Sequence, residues 1–345
     1  MKARSLWITA VVLTAIAIFG LFPASFALAT TRGFQSAQPL TSAASVAFRD
    51  PCSLQNPLFL PVLKIGLYTT ATPLPPKTPT PPVLPNFSHV YVLVMENKEI
   101  TSVIGSPNAP YLNCLANNFG LATNYTGVTH PSQPNYLALF SGSTQGVTDN
   151  LVHNLAGQNL ADQLEAKQKT WKVYAQNYPL NCALDESVTG GPDDPSGNYV
   201  RKHNPAISFT NISTDSVRCA NISDFSHFDP AAADFELIVP NMCNATHDCP
   251  VATGDNFLKG FVPTILNSSA WDQNSVLFII YDEGATNIGG GGKIVAAVIS
   301  NRVPKGTTSA TAHDHYSLLR TIEDAWGLGR LNNAATANTM VEFFP

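Results

Sequence analysis

Two short polar clusters and one serine are the residues of this chain best suited to chemistry. Glu96-Asn97 ends the apolar run Val90-Tyr91-Val92-Leu93-Val94-Met95, and Asp282-Glu283 ends the run Ser275-Val276-Leu277-Phe278-Ile279-Ile280-Tyr281. One such doublet needs no function, because acidic and amide side chains commonly close strands and open turns. Two of them at the ends of buried strands are another matter. Three carboxylates and an amide oxygen gathered at one edge repel one another unless a cation neutralises them. Oxygen donors suit a hard divalent ion such as Ca or Mg, and a histidine in the set widens the choice toward Zn, Mn or Fe.

Ser132 lies in the segment Thr129-His130-Pro131-Ser132-Gln133-Pro134-Asn135-Tyr136-Leu137-Ala138-Leu139-Phe140-Ser141-Gly142. Pro134 is favoured in the first turn of a helix, so the sequence predicts Ser132 at a helix start, where free backbone N–H groups and the positive helix end face outward. An alkoxide or a phosphate oxygen is stabilised in such a place. Taken alone, Ser-x-Pro is an ordinary N-cap.

The elements that must position these groups follow from the same runs. Val90–Met95, Ser275–Tyr281, Lys293–Ser300 and the shorter Phe235–Val239 have strand length and are apolar on both faces, as central strands covered on each side are. Helices are expected at Asn135–Phe140, Asn159–Gln168, Asn256–Leu266 and His315–Trp326. The alternation predicts an α/β domain with a central, mostly parallel sheet and helices on both faces. Ligands of such sheets gather at the carboxyl ends of the strands, where both doublets stand.

The string His130-Pro-Ser-Gln-Pro-Asn-Tyr-Leu-Ala-Leu-Phe-Ser-Gly142, with Val-Met-Glu96-Asn97 upstream and Tyr281-Asp282-Glu283-Gly284 downstream, resembles the phosphoesterase family of bacterial acid phosphatases and type C phospholipases, within the alkaline phosphatase superfamily. The likeness runs from about His89 to Leu331 and takes in Arg201-Lys202-His203-Asn204-Pro205, Asn241 through His247-Asp248-Cys249, and His315 through Asp324. It implies an alkaline phosphatase-like fold. It also implies a metal held by Glu96, Asn97, Asp282 and Glu283, with Glu283 standing where the acid phosphatases commonly have Asp. Ser132 matches the nucleophile, which also touches the metal; Asn150 sits where nucleotide pyrophosphatases bind the phosphate. His203 and His247 look like phosphate-contacting histidines, either of which could pass a proton to the leaving oxygen. His315 resembles a position that ligates a second metal in two-metal relatives and supports the site in one-metal members. His130 and His153 read as solvated residues without a role. Gly289 to Gly292 reads as a turn between strands, since no Gly-Lys-Ser/Thr follows it.

Three functions remain open. The first is an acid phosphatase acting through a phosphoserine, on small phosphomonoesters or phosphorylated lipid headgroups. The second is a type C phospholipase or other phosphodiesterase, which needs room for a second ester substituent. The third is a secreted protein that binds without turnover, against which the retention of Ser132, Asp282 and Glu283 counts. Of the 345 residues, 44% are apolar and 12% charged, and the formal charge is −5. That composition argues against disorder and against binding nucleic acid through a basic surface. It names no stable protein partner.

Lys2 and Arg4 precede an apolar stretch from Leu6 to Phe22, no charge follows until Arg32, and Ala27-Leu28-Ala29 has the small-x-small form that signal peptidase reads. Residues 1–29 therefore read as a signal peptide, or as an uncleaved anchor, since the apolar stretch is close to the length that spans a bilayer. Either way the remainder is placed outside the cytoplasm. Residues 30–86 form an N-terminal segment with a Pro-rich linker at 70–85, and 87–345 form the catalytic domain. Six cysteines suggest disulfides in an exported protein. Cys243 and Cys249 are close enough to bridge around His247; Cys182–Cys219 is the next pairing, leaving Cys52 with Cys114. Sequons occur at Asn86, Asn124, Asn211, Asn221, Asn244 and Asn267.

Overall fold

The computed structural model describes residues 50–52, 82–189 and 198–345. The expected signal peptide and residues 70–81 of the Pro-rich linker lie outside these residues. Eight strands form the main sheet: β1 (Val90–Met95), β2 (Gly120–Ala122), β3 (Trp171–Ala175), β4 (Ile222–Ser223), β5 (Phe235–Val239), β6 (Val276–Tyr281), β7 (Ala296–Ile299) and β8 (Thr307–Ser309). Their spatial order is β8-β2-β7-β6-β1-β5-β3-β4. All pairings are parallel except those of β7, which runs antiparallel to both β2 and β6. The expected mostly parallel sheet is therefore present.

Every residue of β1, β5 and β6 is buried, which requires cover on both faces of the sheet. The cover comes from helices, chiefly α1 (Pro110–Asn118), α2 (Ser132–Ser141), α3 (Leu160–Ala166), α4 (Val251–Leu266) and α5 (His315–Trp326). Helix α2 packs on α5, and α1 on α4. Local chemistry fixes their ends. Asp314 and Ser317 form a capping box at the start of α5, as Asn159 and Asp162 do for α3. Helix α2 ends at Gly142, whose φ of 69° and contact with the Leu331 carbonyl, 2.1 Å from where a Cβ would sit, exclude any other residue.

Three element boundaries differ from those expected. Helix α4 starts at Val251, five positions before Asn256, because Pro250 supplies an extended N-cap. Helix α2 starts at Ser132 itself, with Pro131 as N-cap, so the serine hydroxyl does not cap the helix. The run Lys293–Ser300 divides: Lys293–Ile294 pairs with Tyr125–Thr126 in a separate small sheet, and only Ala296–Ile299 joins the main one.

All three expected disulfides are present: Cys52–Cys114, Cys182–Cys219 and Cys243–Cys249. Three bridges suit an oxidising compartment. Among the described residues no helix is long and apolar enough to cross a membrane.

Candidate active site

Strands β1 and β6 are parallel neighbours with Met95 opposite Tyr281, so the residues that follow each strand emerge side by side. Glu96 and Asp282 are thus brought together at the carboxyl edge of the sheet. Backbone bonds hold them there: Glu96 N–H donates to the Ala245 carbonyl at 2.8 Å, the Thr246 hydroxyl donates to the Glu96 carbonyl at 2.9 Å, and Asp282 N–H donates to the Met95 carbonyl at 2.9 Å. Asp282 Oδ1 accepts from the backbone of Asn97 at 3.1 Å and of Glu283 at 2.6 Å.

Both carboxyls are buried, and their electrostatics record it. Burial first, then the charge of Asp282, pushes the Glu96 pKa well above the usual carboxylate range. Burial and then Glu283 push that of Asp282 up to about 7. His203, also buried, is held well below the ordinary imidazole value by desolvation, with Lys202 and His247 adding to it. One ligand atom from each of Glu96, His203 and Asp282 lies within 4.8 Å of the other two. Glu96 Oε2, His203 Nε2 and Asp282 Oδ2 are buried without a hydrogen-bond partner. Such a trio is costly on its own and is what a divalent cation would satisfy. Two oxygens and one imidazole nitrogen fit a borderline ion.

The remaining expected ligands stand beside this trio. With its amide nitrogen inward, Asn97 donates to Asp282 Oδ1 and Glu283 Oε1, each at 3.2 Å, while its oxygen accepts from His247 Nε2 at 3.3 Å. With its oxygen inward, the same position adds a third oxygen to the two carboxylates, as a cation would require. Ser132, at the first position of α2, donates its hydroxyl proton to Glu283 Oε1 at 3.0 Å. Helix α2 thereby points its N-terminus into the cluster. Asn150 Oδ1 accepts from the backbone N–H of Gln133 at 3.0 Å, which places it next to the segment that carries Ser132. His247 pairs through Nδ1 with Asp248 at 2.7 Å.

His315 donates from Nε2 to the Asp282 carbonyl at 2.6 Å, and its Nδ1 meets the Tyr125 hydroxyl at 3.2 Å. Both ring nitrogens are engaged by protein. That geometry suits a residue that supports Asp282 and leaves no lone pair for a second metal.

Two residues that touch the cluster carry almost no sign of it in the sequence. His130, left there without a role, sits with Nδ1 2.5 Å from Glu283 Oε2 and Nε2 2.8 Å from the Thr286 carbonyl. Burial alone would lower its pKa, yet the bonds to Thr286 and Glu283 outweigh burial and hold it above the usual imidazole value. Tyr136, one turn along α2 from Ser132, donates a short hydrogen bond to Glu96 Oε1 and stacks on His203 with ring centroids 5.0 Å apart. Its spacing from Ser132 by one helical turn was the available signal. His153 instead pairs with Asp149 at 2.6 Å and takes no part in the cluster.

The model of the phosphoesterase family matches residues 105–329. A phosphatidylinositol-3-phosphatase from Mycobacterium tuberculosis is 32% identical over 76% of this chain and 84% of that protein. A probable acid phosphatase from Kluyveromyces lactis is 29% identical over 71% of this chain, which spans only 59% of that protein. Among solved structures, a candidate sulfatase from Bacteroides thetaiotaomicron is similar in fold alone, with 11% identity, a TM-score of 0.52 and 74% of each chain covered. The family match spans well over half of the sequence and contains Ser132 and Asp282-Glu283, and on that ground the chain belongs to the phosphoesterase family and is a hydrolase of phosphoric esters.

Proposed function

We propose that the chain is an exported, metal-dependent phosphomonoesterase of the acid-phosphatase type, with residues 87–345 as its catalytic domain and Ser132 as its nucleophile. The observation that carries this reading is the buried trio Glu96, His203 and Asp282, each with one atom lacking a hydrogen bond and turned toward the other two, beside a serine at a helix N-terminus. The donor set Glu96, Asn97, Asp282 and Glu283, with Ser132, would hold a divalent cation of the Zn, Mn, Fe, Ca or Mg group. When bound, that ion would supply positive charge against the phosphate oxygens and favour the ionised serine.

The chain's own residues account for the rest. Ser132 Oγ passes its proton to Glu283 Oε1, with which it is already hydrogen-bonded, and attacks phosphorus in line with the leaving oxygen. The P–Oγ bond forms as the bond to the leaving oxygen breaks. The leaving oxygen takes its proton from His247, which is partly exposed and stands on Asp248. His203 is poorly suited to that task, because its burial disfavours the charged form. Geometry favours it as a nitrogen donor within the trio instead. Water then cleaves the phosphoserine, releasing phosphate and returning the proton to Ser132. The α2 N-terminus stabilises charge on the transferring group.

The relative named a phosphatidylinositol-3-phosphatase supports including phosphorylated lipid headgroups among the substrates. The experiment is Ser132→Ala with and without chelation of the wild type. Turnover of p-nitrophenyl phosphate is expected to fall on the order of a thousandfold or more in the variant. Labelled phosphate trapped at acidic pH is expected on the peptide containing Ser132. A folded variant that keeps more than about a tenth of wild-type turnover, only about 1.4 kcal/mol in barrier, would remove the serine from this role. Full activity after exhaustive metal removal would remove the cation.

A further inference from the structure

A cavity of about 300 Å³ opens beside the nucleophile, lined by the loop Asn150-Leu151-Val152 on one wall and by Glu186, Ser187 and Val200-Arg201-Lys202 on the other. Both walls are fixed to the reacting centre. Asn150 accepts the backbone N–H of Gln133, the residue after Ser132, and Lys202 precedes His203, a member of the buried trio. Arg201 ties the walls together: one guanidinium nitrogen donates to the Leu184 carbonyl at 3.0 Å and another to Asn154 Oδ1 at 2.9 Å.

The lip of this cavity is apolar where a soluble surface is expected to be polar. Leu151 is 63% exposed and Val152 42%, both without cover among the described residues. Deeper in, Arg201 is nine-tenths or more buried and braces both walls. An occupant with an apolar body would use the lip. The volume holds a group of aryl or short-alkyl size and reaches the lower end of ordinary ligand sites.

Resting on the phosphomonoesterase reading, we propose that this cavity is the leaving-group subsite, and that it selects phosphomonoesters whose alcohol carries an apolar body packed on Leu151 and Val152. The ester oxygen then lies toward Ser132, and the apolar body extends outward along the Asn150-Leu151-Val152 wall. Leu151 and Val152 determine specificity and touch none of the reacting atoms.

The test uses methyl and hexyl phosphate, whose leaving groups have nearly equal acidity and differ in apolar length. In the wild type, kcat/KM is expected to be at least about tenfold higher for hexyl than for methyl phosphate, since each methylene that leaves water favours binding. In Leu151→Asn/Val152→Asn, which adds no charge to repel the phosphate, that ratio is expected to collapse toward unity. Both positions are exposed, so the variant is expected to fold. A ratio near unity in the wild type, or an equal ratio in both proteins, would overturn the subsite. Calorimetric binding of the two phosphates to Ser132→Ala separates this inference from the catalytic reading. Chain-length-dependent affinity without turnover in the wild type would reject the phosphatase mechanism and keep the pocket. Equal affinity for the two would reject the pocket whatever the turnover.

Discussion

Glu236 provides a test that is independent of the active site. It is the second residue of β5, fully buried, in register with Tyr91 of β1 and Lys172 of β3. Burial pushes its pKa from 4.5 up to about 8, the nearby backbone of Ala233 and the charge of Lys172 offsetting this only in part. Because the folded value lies above the unfolded one, folding favours the protonated acid. Its contribution is complete below about pH 4.5 and is lost as pH rises through about 8. At about 1.4 kcal/mol for each pH unit between those values, the native state gives up roughly 5 kcal/mol across the window. Glu236→Gln is a neutral isostere that cannot ionise. Near pH 5 it is expected to match the wild type, and at pH 8 to exceed it by a few kcal/mol. Urea unfolding of both proteins at pH 5 and pH 8 measures the difference. Glu323, pushed up by burial to about 7, adds a slope of the same sign, but it is present in both proteins and cancels. So does the pH dependence of metal binding. If the gap between the two proteins is the same at both pH values, Glu236 is ionised in the fold and the argument from burial fails.

Two further perturbations test the groups around the site. Tyr136→Phe keeps the ring stacked on His203 and removes only the hydroxyl that orients Glu96, so metal affinity measured by chelator competition is expected to fall about tenfold to a hundredfold with little change in fold; unchanged affinity would separate Tyr136 from the metal. Glu99 accepts from the backbone N–H groups of Ala285, Thr286 and Lys293 at 3.1, 2.8 and 3.1 Å, and the Thr286 carbonyl in turn holds His130 against Glu283. Glu99→Ala is expected to cost about 2 kcal/mol of stability and to lower kcat more than it raises KM; a loss of stability with normal kcat would show that the loop does not position Glu283.

How much of this was legible depended on whether a feature lies along the chain or across it. The apolar strands β1 and β6 were readable because burial on both faces leaves an uninterrupted run, and β5 was readable despite Glu236 within it. Strands β2, β4 and β8 were not, being two or three residues long, too short for any period to register. The antiparallel direction of β7 was also hidden, since its sequence is apolar either way round. Among site residues, Ser132, Glu96, Asn97, Asp282 and Glu283 each carry a local sign, a strand end or a helix start. His130 and Tyr136 carry almost none: their partners are 153 and 40 residues away, and nothing in their own segment indicates a carboxylate across the gap.

His203 shows the limit from the other side: its motif lies along the chain, whereas its environment is made across it. Burial against Tyr136, with side-chain exposure of 2%, and then the charges of Lys202 and His247 hold its pKa well below the ordinary imidazole value and favour the neutral ring. The pairing of β1 with β6 makes that environment. With Met95 opposite Tyr281, Glu96 stands beside Asp282, and both find His203 within reach. A slip of β6 by one residue would set Glu96 beside Glu283 and turn the side chains of β6 to the opposite face, breaking the bond from Ser132 to Glu283. The register of two buried strands, enforced by apolar side chains that take no part in the reaction, is therefore what assembles the site.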